Sequence, residues 1–508
     1  MRAIADADAP PRPVRRGAIL AALMLTITLA AMDTTIVSTA VPQIVGDLGG
    51  FQHFTWLFSV YLLAQTVTIP IYGKLADTFG RKPVLIGGTV VFLIGSMASG
   101  AAWDMLSLIV FRGLQGVGAG AIMATVNTLA GDLFSVRERA RIQGWLSSVW
   151  GISAVLGPTL GGAFVEYASW RWIFFINVPI GAAALVMIAR FLHEHPVARR
   201  HRIDYVGASL LLCGVGALIL GLLQGGQAWP WLSWPGLATF GVAALLLAGF
   251  VRVERRAAEP IQPGWLWRRP VLVGTNLAMI GMGLVMMGPN TYLPTFGQSV
   301  YGLGPIAAGL LLACISIGWP LASALSGHAY LRIGFRDTGL CGAALLVLAT
   351  GGFLILPPMA PVGWLVLDQV LLGAGFGLLS TPLLVGVQSS VPWHERGVVT
   401  SANIFSRYLG QSLGAAMAGA IFNGRLAEAL QHAPPALADA VPQRIDAVIG
   451  ALHAPGASDA TTIYLRTAID TAMREVYMGL LAVAMLVFIV VAFTPRRFGV
   501  AAEGQVPR

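Results

Sequence analysis

Charge is scarce in this chain, and nearly all of its positive charge is arginine. Only 11% of the 508 residues are Asp, Glu, Lys or Arg, against about a quarter in an ordinary soluble domain. So little charge cannot cover the surface of a water-soluble protein of this size; lipid must solvate much of it. Cysteine is nearly missing too. Cys213, Cys314 and Cys341 are the only three, and all fall within long apolar runs. That placement excludes a disulfide framework, and their spacing excludes a zinc set. A glycine-rich phosphate loop, a catalytic-triad spacing and a His/Cys cluster are likewise absent from the sequence. Energy from a nucleotide would have to come from another chain, and an embedded enzyme would have no catalytic constellation. Lysine supplies only Lys74 and Lys82 of 32 basic residues. With abundant alanine, that bias points to a GC-rich bacterial genome and hence an inner membrane.

What the chain has is apolar length. Hydrophobic residues make up 56% of it and mean hydropathy is +0.74. Runs of about 20 apolar residues, enough to cross a bilayer, predict spans at 18–41, 54–73, 84–102, 105–129, 140–164, 172–192 and 204–223. Seven more follow at 235–252, 271–295, 305–326, 337–356, 362–387, 398–422 and 477–494. An even number of spans, fourteen, puts both termini on one side. Most of the basic residues fall on that side, among them Arg12, Arg15, Arg16, Arg137, Arg139, Arg199, Arg200, Arg202 and Arg496. Such asymmetry marks the cytoplasmic face. The net charge of +9 is therefore a topology signal and not a nucleic-acid footprint. The basic start resembles a signal peptide, but the first run is too long, Asp33 interrupts it and no cleavage site follows. It is predicted to be a retained span.

Internal repetition sets the architecture. The hairpin from Gly73 to Pro83 holds Asp77, Arg81 and Lys82 between two spans. Residues 327–336 echo it, with glycines again seven apart at Gly327 and Gly334, although Leu331 stands at the place of Asp77. Gly116, Gly118 and Gly120 are echoed by Gly373, Gly375 and Gly377. Two six-helix halves, 18–192 and 271–494, follow from this, with two inserted spans inside 193–270 and cytoplasmic ends at 1–17 and 495–508. The long polar stretch 423–475 is predicted outside, either as a surface loop or as a docking site for an extracytoplasmic adaptor protein.

The hairpin's residues resemble the loop signature of the major facilitator superfamily. Four further segments narrow the likeness. Asp33 to Pro42 resembles the first-helix motif of the fourteen-helix drug:proton antiporter family, and Arg112 to Gly120, including Gln115, its fourth-helix motif. Gly157-Pro158-Thr159-Leu160-Gly161-Gly162 resembles the fifth-helix antiporter motif, with Ser153 where a glycine is common. Trp170 to Gly181 is similar to the family's start of helix six. The resemblance implies an all-α integral membrane protein of the major facilitator fold. It would have two six-helix bundles plus two extra central helices, rocking about a midplane cavity.

Asp33 is the leading coupling candidate. A carboxylate at helix depth costs about 2.5–3.5 kcal/mol on insertion scales, so it lines a cavity or has a partner. A structural ion pair is the plainer alternative. At 1.5 Å per residue Asp33 and Arg112 lie at similar depth, roughly 11–12 Å below the outer boundary. Arg112 stays charged and would shift its neighbour without titrating itself. Asp368 sits at comparable depth in the equivalent helix of the second half, with Gln369 at the repeat position of Arg112; a substrate or proton role and an interfacial acid near the helix start are its two readings. Arg407, mid-span among Asn403, Ser406 and Gln411, is expected to face the bundle interior, as a structural pair or a substrate contact. Asp104, at a helix start, fits a favourable dipole interaction.

By resemblance, Gly73, Asp77, Gly80, Arg81 and Lys82 form an inner-gate latch, with Asp77 on a helix N-terminus or an Arg when the protein faces outward. Gly157, Pro158, Gly161 and Gly162 would place the fifth helix at the interface of the halves and seal it against proton leak; ordinary helix packing serves equally. The function implied is export of small amphipathic, possibly cationic, drugs or metabolites by a monomer driven by the proton gradient, with no cofactor and no metal. Coupling would rest on Asp33, and Asp368 with it, exchanging a proton for a cationic substrate. A symporter of the same fold and a non-transporting membrane sensor are the alternatives.

Overall fold

A computed structural model describes residues 16–498 apart from 51, 52, 55, 195–203, 227, 258, 358, 359, 438, 439, 443–447, 449–451, 453–458 and 497. Arg2, Arg12, Arg15, Arg199, Arg200 and Arg202 lie outside the described residues, as does most of the predicted terminal segments 1–17 and 495–508.

Among the described residues, fourteen long helices correspond one to one with the predicted spans. The first half holds α1 (Arg16–Leu48), α2 (Trp56–Phe79), α3 (Arg81–Gly100), α4 (Met105–Leu133), α5 (Val136–Tyr167) and α6 (Trp172–Phe191). Two inserted helices follow, α7 (Tyr205–Gln224) and α8 (Trp234–Glu254). The second half holds α9 (Pro270–Ser299), α10 (Ile306–Ile333), α11 (Phe335–Ile355), α12 (Val362–Ser389), α13 (Arg396–Gln431) and α14 (Asp459–Phe493). By length and hydropathy 13 helices among the described residues qualify as membrane spans. The exception is α13, 36 residues long, whose apolar character is diluted by Asn403, Arg407 and Gln411. It crosses the bundle beside the others and carries its polar residues on a face buried between the halves.

The stretch 423–475 is entered by helix from both ends: α13 runs on to Gln431 and α14 begins at Asp459. Leu426, Leu430, Leu465 and Ile469 pack in one apolar cluster there. Their spacing suits a helix face, which keeps both helices wound beyond bilayer depth.

The glycine echoes mark equivalent packing. On α4 a Cβ at Gly118 would stand 2.3 Å from the Phe92 backbone nitrogen of α3, and one at Gly116 2.4 Å from the Tyr61 carbonyl of α2. On α12 a Cβ at Gly373 would stand 2.2 Å from the Ile315 carbonyl of α10. Only hydrogen side chains let backbones approach so closely. Each half thus wedges its fourth helix between the second and third. The hairpin echo is conformational as well: Gly80 and Gly334 have φ of 97° and 93°, a region other residues rarely adopt. At the opposite end Asp104 caps α4, its carboxylate accepting from the Ser107 N–H at 2.7 Å. That backbone hydrogen bond holds its pKa below the ordinary value.

The inserted pair lies across the seam. Leu211, Val215 and Ile219 of α7 share a cluster with Val67 and Ile69 of α2 and with Ile404, Phe405 and Tyr408 of α13. Of the inserted helices, α7 therefore touches both halves, and the connectivity of each half stays intact.

Candidate functional site

Three polar assemblies lie within the helical bundle, and the first is sealed. Asp33 on α1 and Arg112 on α4 meet, the guanidinium Nη1 donating to the carboxylate at 2.5 Å. Gln115, one turn along α4, donates to the other carboxylate oxygen at 2.7 Å and accepts from Arg112 at 2.8 Å. Arg112 Nε donates to the Leu57 carbonyl at 3.2 Å, and the Tyr61 ring lies 4.3 Å from its guanidinium. Asp33 is 0% and Arg112 1% exposed. Of the two expectations for Asp33, a cavity lining or a partner, the structure shows the partner: it pairs directly with Arg112. Both carboxylate oxygens face protein donors inside the first half, so in this conformer no substrate reaches Asp33. The reason is local: Arg112 and Gln115 share a helix face, and the glycines between and beyond them bring α2 and α3 close enough to exclude water.

The second assembly joins the halves at the end that carries Arg16 and Arg496. Asp77 of α2 accepts from the Gly397 and Val398 N–H groups at 2.9 and 2.8 Å, at the N-terminus of α13, where unpaired donors and the helix dipole favour an anion. Arg81 donates to Asp77 at 2.7 Å, to Asp132 at 2.9 Å and to the Trp393 carbonyl at 2.7 Å, and stacks 3.7 Å from the Trp393 ring. Arg396 closes the cluster on Asp132 at 3.3 Å. Two acids and two arginines balance in charge. Desolvation offsets most of the attraction in such a buried cluster, which makes it a contact that can open. Gly73 belongs to it sterically: a Cβ there would stand 2.0 Å from Ser401 Oγ and 2.6 Å from the Gly397 carbonyl. Gly80 forms the turn. Lys82 does not take part, which corrects the predicted latch: its ammonium donates to the Ala189 carbonyl of its own half at 2.9 Å. At the quasi-equivalent seam, Tyr330 donates to the Val136 carbonyl and Arg139 to Ser389 at 3.2 Å.

The third assembly is a small cavity between the halves, about 40 Å³, lined by Asn127 and Gln143 of the first half and by Trp319, Thr381, Asn403 and Arg407 of the second. Arg407 faces the bundle interior, as expected from sequence. Its guanidinium lies 5.3 Å from the Tyr408 ring and 5.9 Å from the Trp319 ring.

Asp368 joins none of these. It is 6% exposed, accepts from Gln369 at 2.7 Å, and borders a crevice of about 490 Å³ between α11 and α12, with Leu348, Ile355 and Trp364. Those neighbours are largely exposed apolar residues, so the crevice opens on the flank that lipid would cover. The α5 motif is redirected. Gly157 and Gly161 abut Thr35 and Thr39 of α1, where a Cβ would stand 2.0 and 2.1 Å from the hydroxyl oxygens. Pro158 is exposed and Gly162 faces open space. The α5 contact with the other half is made instead by Gly144 and Gly151, against Ala324 and Ser316 of α10.

The family model of the Major Facilitator Superfamily matches residues 23–415. The chain belongs to the Major Facilitator Superfamily. It is similar to the multidrug transporter protein MdtP of Bacillus subtilis (strain 168), 36% identical over 414 residues, covering 81% of this chain and 76% of that one. Multidrug resistance protein 3 of the same organism is 35% identical over 406 residues, 79% of each. Among solved structures, the human organic anion transporter MFSD10 superposes with a TM-score of 0.62 at 14% identity, covering 95% of this chain and all of that one. Membership in the Major Facilitator Superfamily makes this a multi-pass membrane transporter with multidrug efflux relatives, and not an enzyme.

Sequence reasoning missed Asp132, Arg396, Trp393 and Glu194. Glu194 accepts from the Arg81 and Lys82 N–H groups at 2.9 and 2.7 Å, capping α3. Asp132 was findable as a lone acid in the last turn of an apolar helix.

Proposed function

We propose that this chain is a proton-coupled antiporter that exports small amphipathic compounds by alternating access. It acts as a monomer in a bacterial inner membrane, with both termini in the cytoplasm and the proton gradient in place of any cofactor. The observation that carries the reading is the sealed Asp33–Arg112–Gln115 cluster, a carboxylate kept at membrane depth where uncompensated charge is costly. The Asp77 latch supports it: the halves are held together at the cytoplasmic end, which is the outward-facing half of a rocking cycle. Coupling then runs through Arg112. Release of the guanidinium from Asp33 lets the carboxylate take a proton, and proton loss draws the guanidinium back. Coupling through Arg112 is preferred over direct competition between proton and cargo at Asp33, because that acid is fully buried in this conformer.

The reading is tested by expressing the chain in cells stripped of their own pumps and challenging them with a panel of amphipathic antibiotics. Lower accumulation that an uncoupler abolishes is the expected result. Higher accumulation with the gradient intact would mean uptake, and no change across the panel would favour a sensor.

A further inference from the structure

The cavity between the halves is defined by donors without partners. Asn403 is 1% exposed, and its Nδ2 has no hydrogen-bond partner; neither does Arg407 Nε. Both side chains line the same space. No ion pair is formed by Arg407 among the described residues, whereas the buried arginines Arg81 and Arg112 each have a carboxylate at 2.9 Å or less. Unsatisfied donors at membrane depth are costly unless something accepts from them.

Charge elsewhere does not cancel Arg407. Asp33 is neutralised by Arg112, the latch acids by Arg81 and Arg396, and Asp368 faces the flank between α11 and α12. The cavity's fixed charge is therefore positive. Its volume of about 40 Å³ suits a few waters or one carboxylate group. Beside it, Trp319 offers a ring face, itself packed 5.4 Å from Phe376, and Met279 a flexible apolar wall.

Resting on the export reading above, we propose that the substrate class of this site is amphipathic organic anions. A carboxylate or similar acidic head would accept from Arg407 and Asn403 in the space present here, and an aromatic or alicyclic body would lie against Trp319 and Met279, which line the same space, once the halves part and widen it. Guanidinium matches a carboxylate in geometry as well as charge. The site lies at the seam and not on the lipid flank, so its ligand is a soluble amphiphile and not a lipid headgroup. A cationic cargo, expected from sequence, meets repulsion at Arg407.

The test uses purified protein in nanodiscs of zwitterionic lipid and three probes that differ in head group: naphthaleneacetate, naphthaleneethanol and naphthaleneethylamine. Binding is read by titration calorimetry. Naphthaleneacetate is expected to bind about tenfold or more tightly than the amine. Arg407→Gln should remove that preference while leaving the alcohol's affinity within a few-fold, and Arg407→Lys should retain part of it. The wild-type ranking needs no variant, so misfolding of Arg407→Gln would not protect the proposal. An amine that binds as tightly as the acid overturns it, as does a preference that survives Arg407→Gln. Displacement of naphthaleneacetate by phosphatidylglycerol in the disc would also contradict it, by making the occupant a lipid. Proteoliposomes that export the amine in preference would sink this inference and leave antiport standing; export of no compound in any pump-deficient assay would sink the antiport reading instead.

Discussion

The two halves share a scaffold and divide the charge unequally. At the fourth helix the first half has Arg112 with its acid on α1, and the second has Gln369, which donates to Asp368 and to Tyr477 on α14. At the hairpin the first half has Asp77, with a side chain 4% exposed, and the second has Leu331, 52% exposed. On the helix facing the seam, the second half alone places a cation, Arg407, in the cavity. Repetition therefore fixes how the helices pack, while departures from it mark where the halves have separate tasks. The first half holds the ion pair and both latch acids, Asp77 and Asp132; the second holds the cavity's charge.

Breaking the ion pair gives the largest expected effect. Arg112→Ala leaves a carboxylate buried without its partner and should cost about 3–5 kcal/mol of stability, read as a large drop in melting temperature in detergent. Adding Asp33→Asn to it should recover most of that loss, because the uncompensated charge goes. Recovery without Asp33→Asn, or none with it, would contradict the assigned pairing. The corresponding change in the second half, Gln369→Ala, removes no charge partner of comparable strength and should cost clearly less.

The latch is the next point of contrast. Gly73→Val drives a side chain into the α13 backbone and should disfavour the closed end by about 1–3 kcal/mol. Spin labels on α3 and α11 at that end should then show longer distances; an unchanged distribution would refute the steric role. Asp77→Asn keeps the shape and loses the charge, for an expected shift of about 1–3 kcal/mol in the same measurement. Tyr330→Phe, at the uncharged seam, should shift it by only about 0.5–1.5 kcal/mol. Equal shifts at the two seams would erase the asymmetry.

The smallest effect is expected at Asp104. Its pKa is lowered in the folded protein by the Ser107 N–H. The cap therefore stabilises above the unfolded-state pKa and is lost as pH falls through the folded value. Asp104→Ala should melt slightly below wild type at neutral pH, and the difference should vanish in acid.

Much of this was legible in the sequence because glycines and stray charges are informative in an apolar chain. The stripes at Gly116 and Gly373 marked the repeat, the Gly73–Pro83 hairpin marked Asp77 and Arg81 of the latch, and helix rise alone put Asp33 level with Arg112. Rotation about the helix axes was legible only where polar neighbours marked a face, as Asn403, Ser406 and Gln411 did for Arg407. In lipid the outer and inner faces of a helix are both apolar, so nothing comparable marked the flank position of Asp368. Partners far apart in the chain, such as Asp132 and Arg396, were equally hidden. The α5 glycines show the same limit: spacing announced close packing at Gly157 and Gly161 but not that α1 was the neighbour.

The most direct test follows protons in proteoliposomes carrying the wild type or Asp33→Asn, with a pH-sensitive dye inside and an exported compound added. Wild-type protein should move protons opposite to the compound, and Asp33→Asn should still let the compound run downhill while the proton signal disappears. Proton movement that persists in Asp33→Asn would contradict the account.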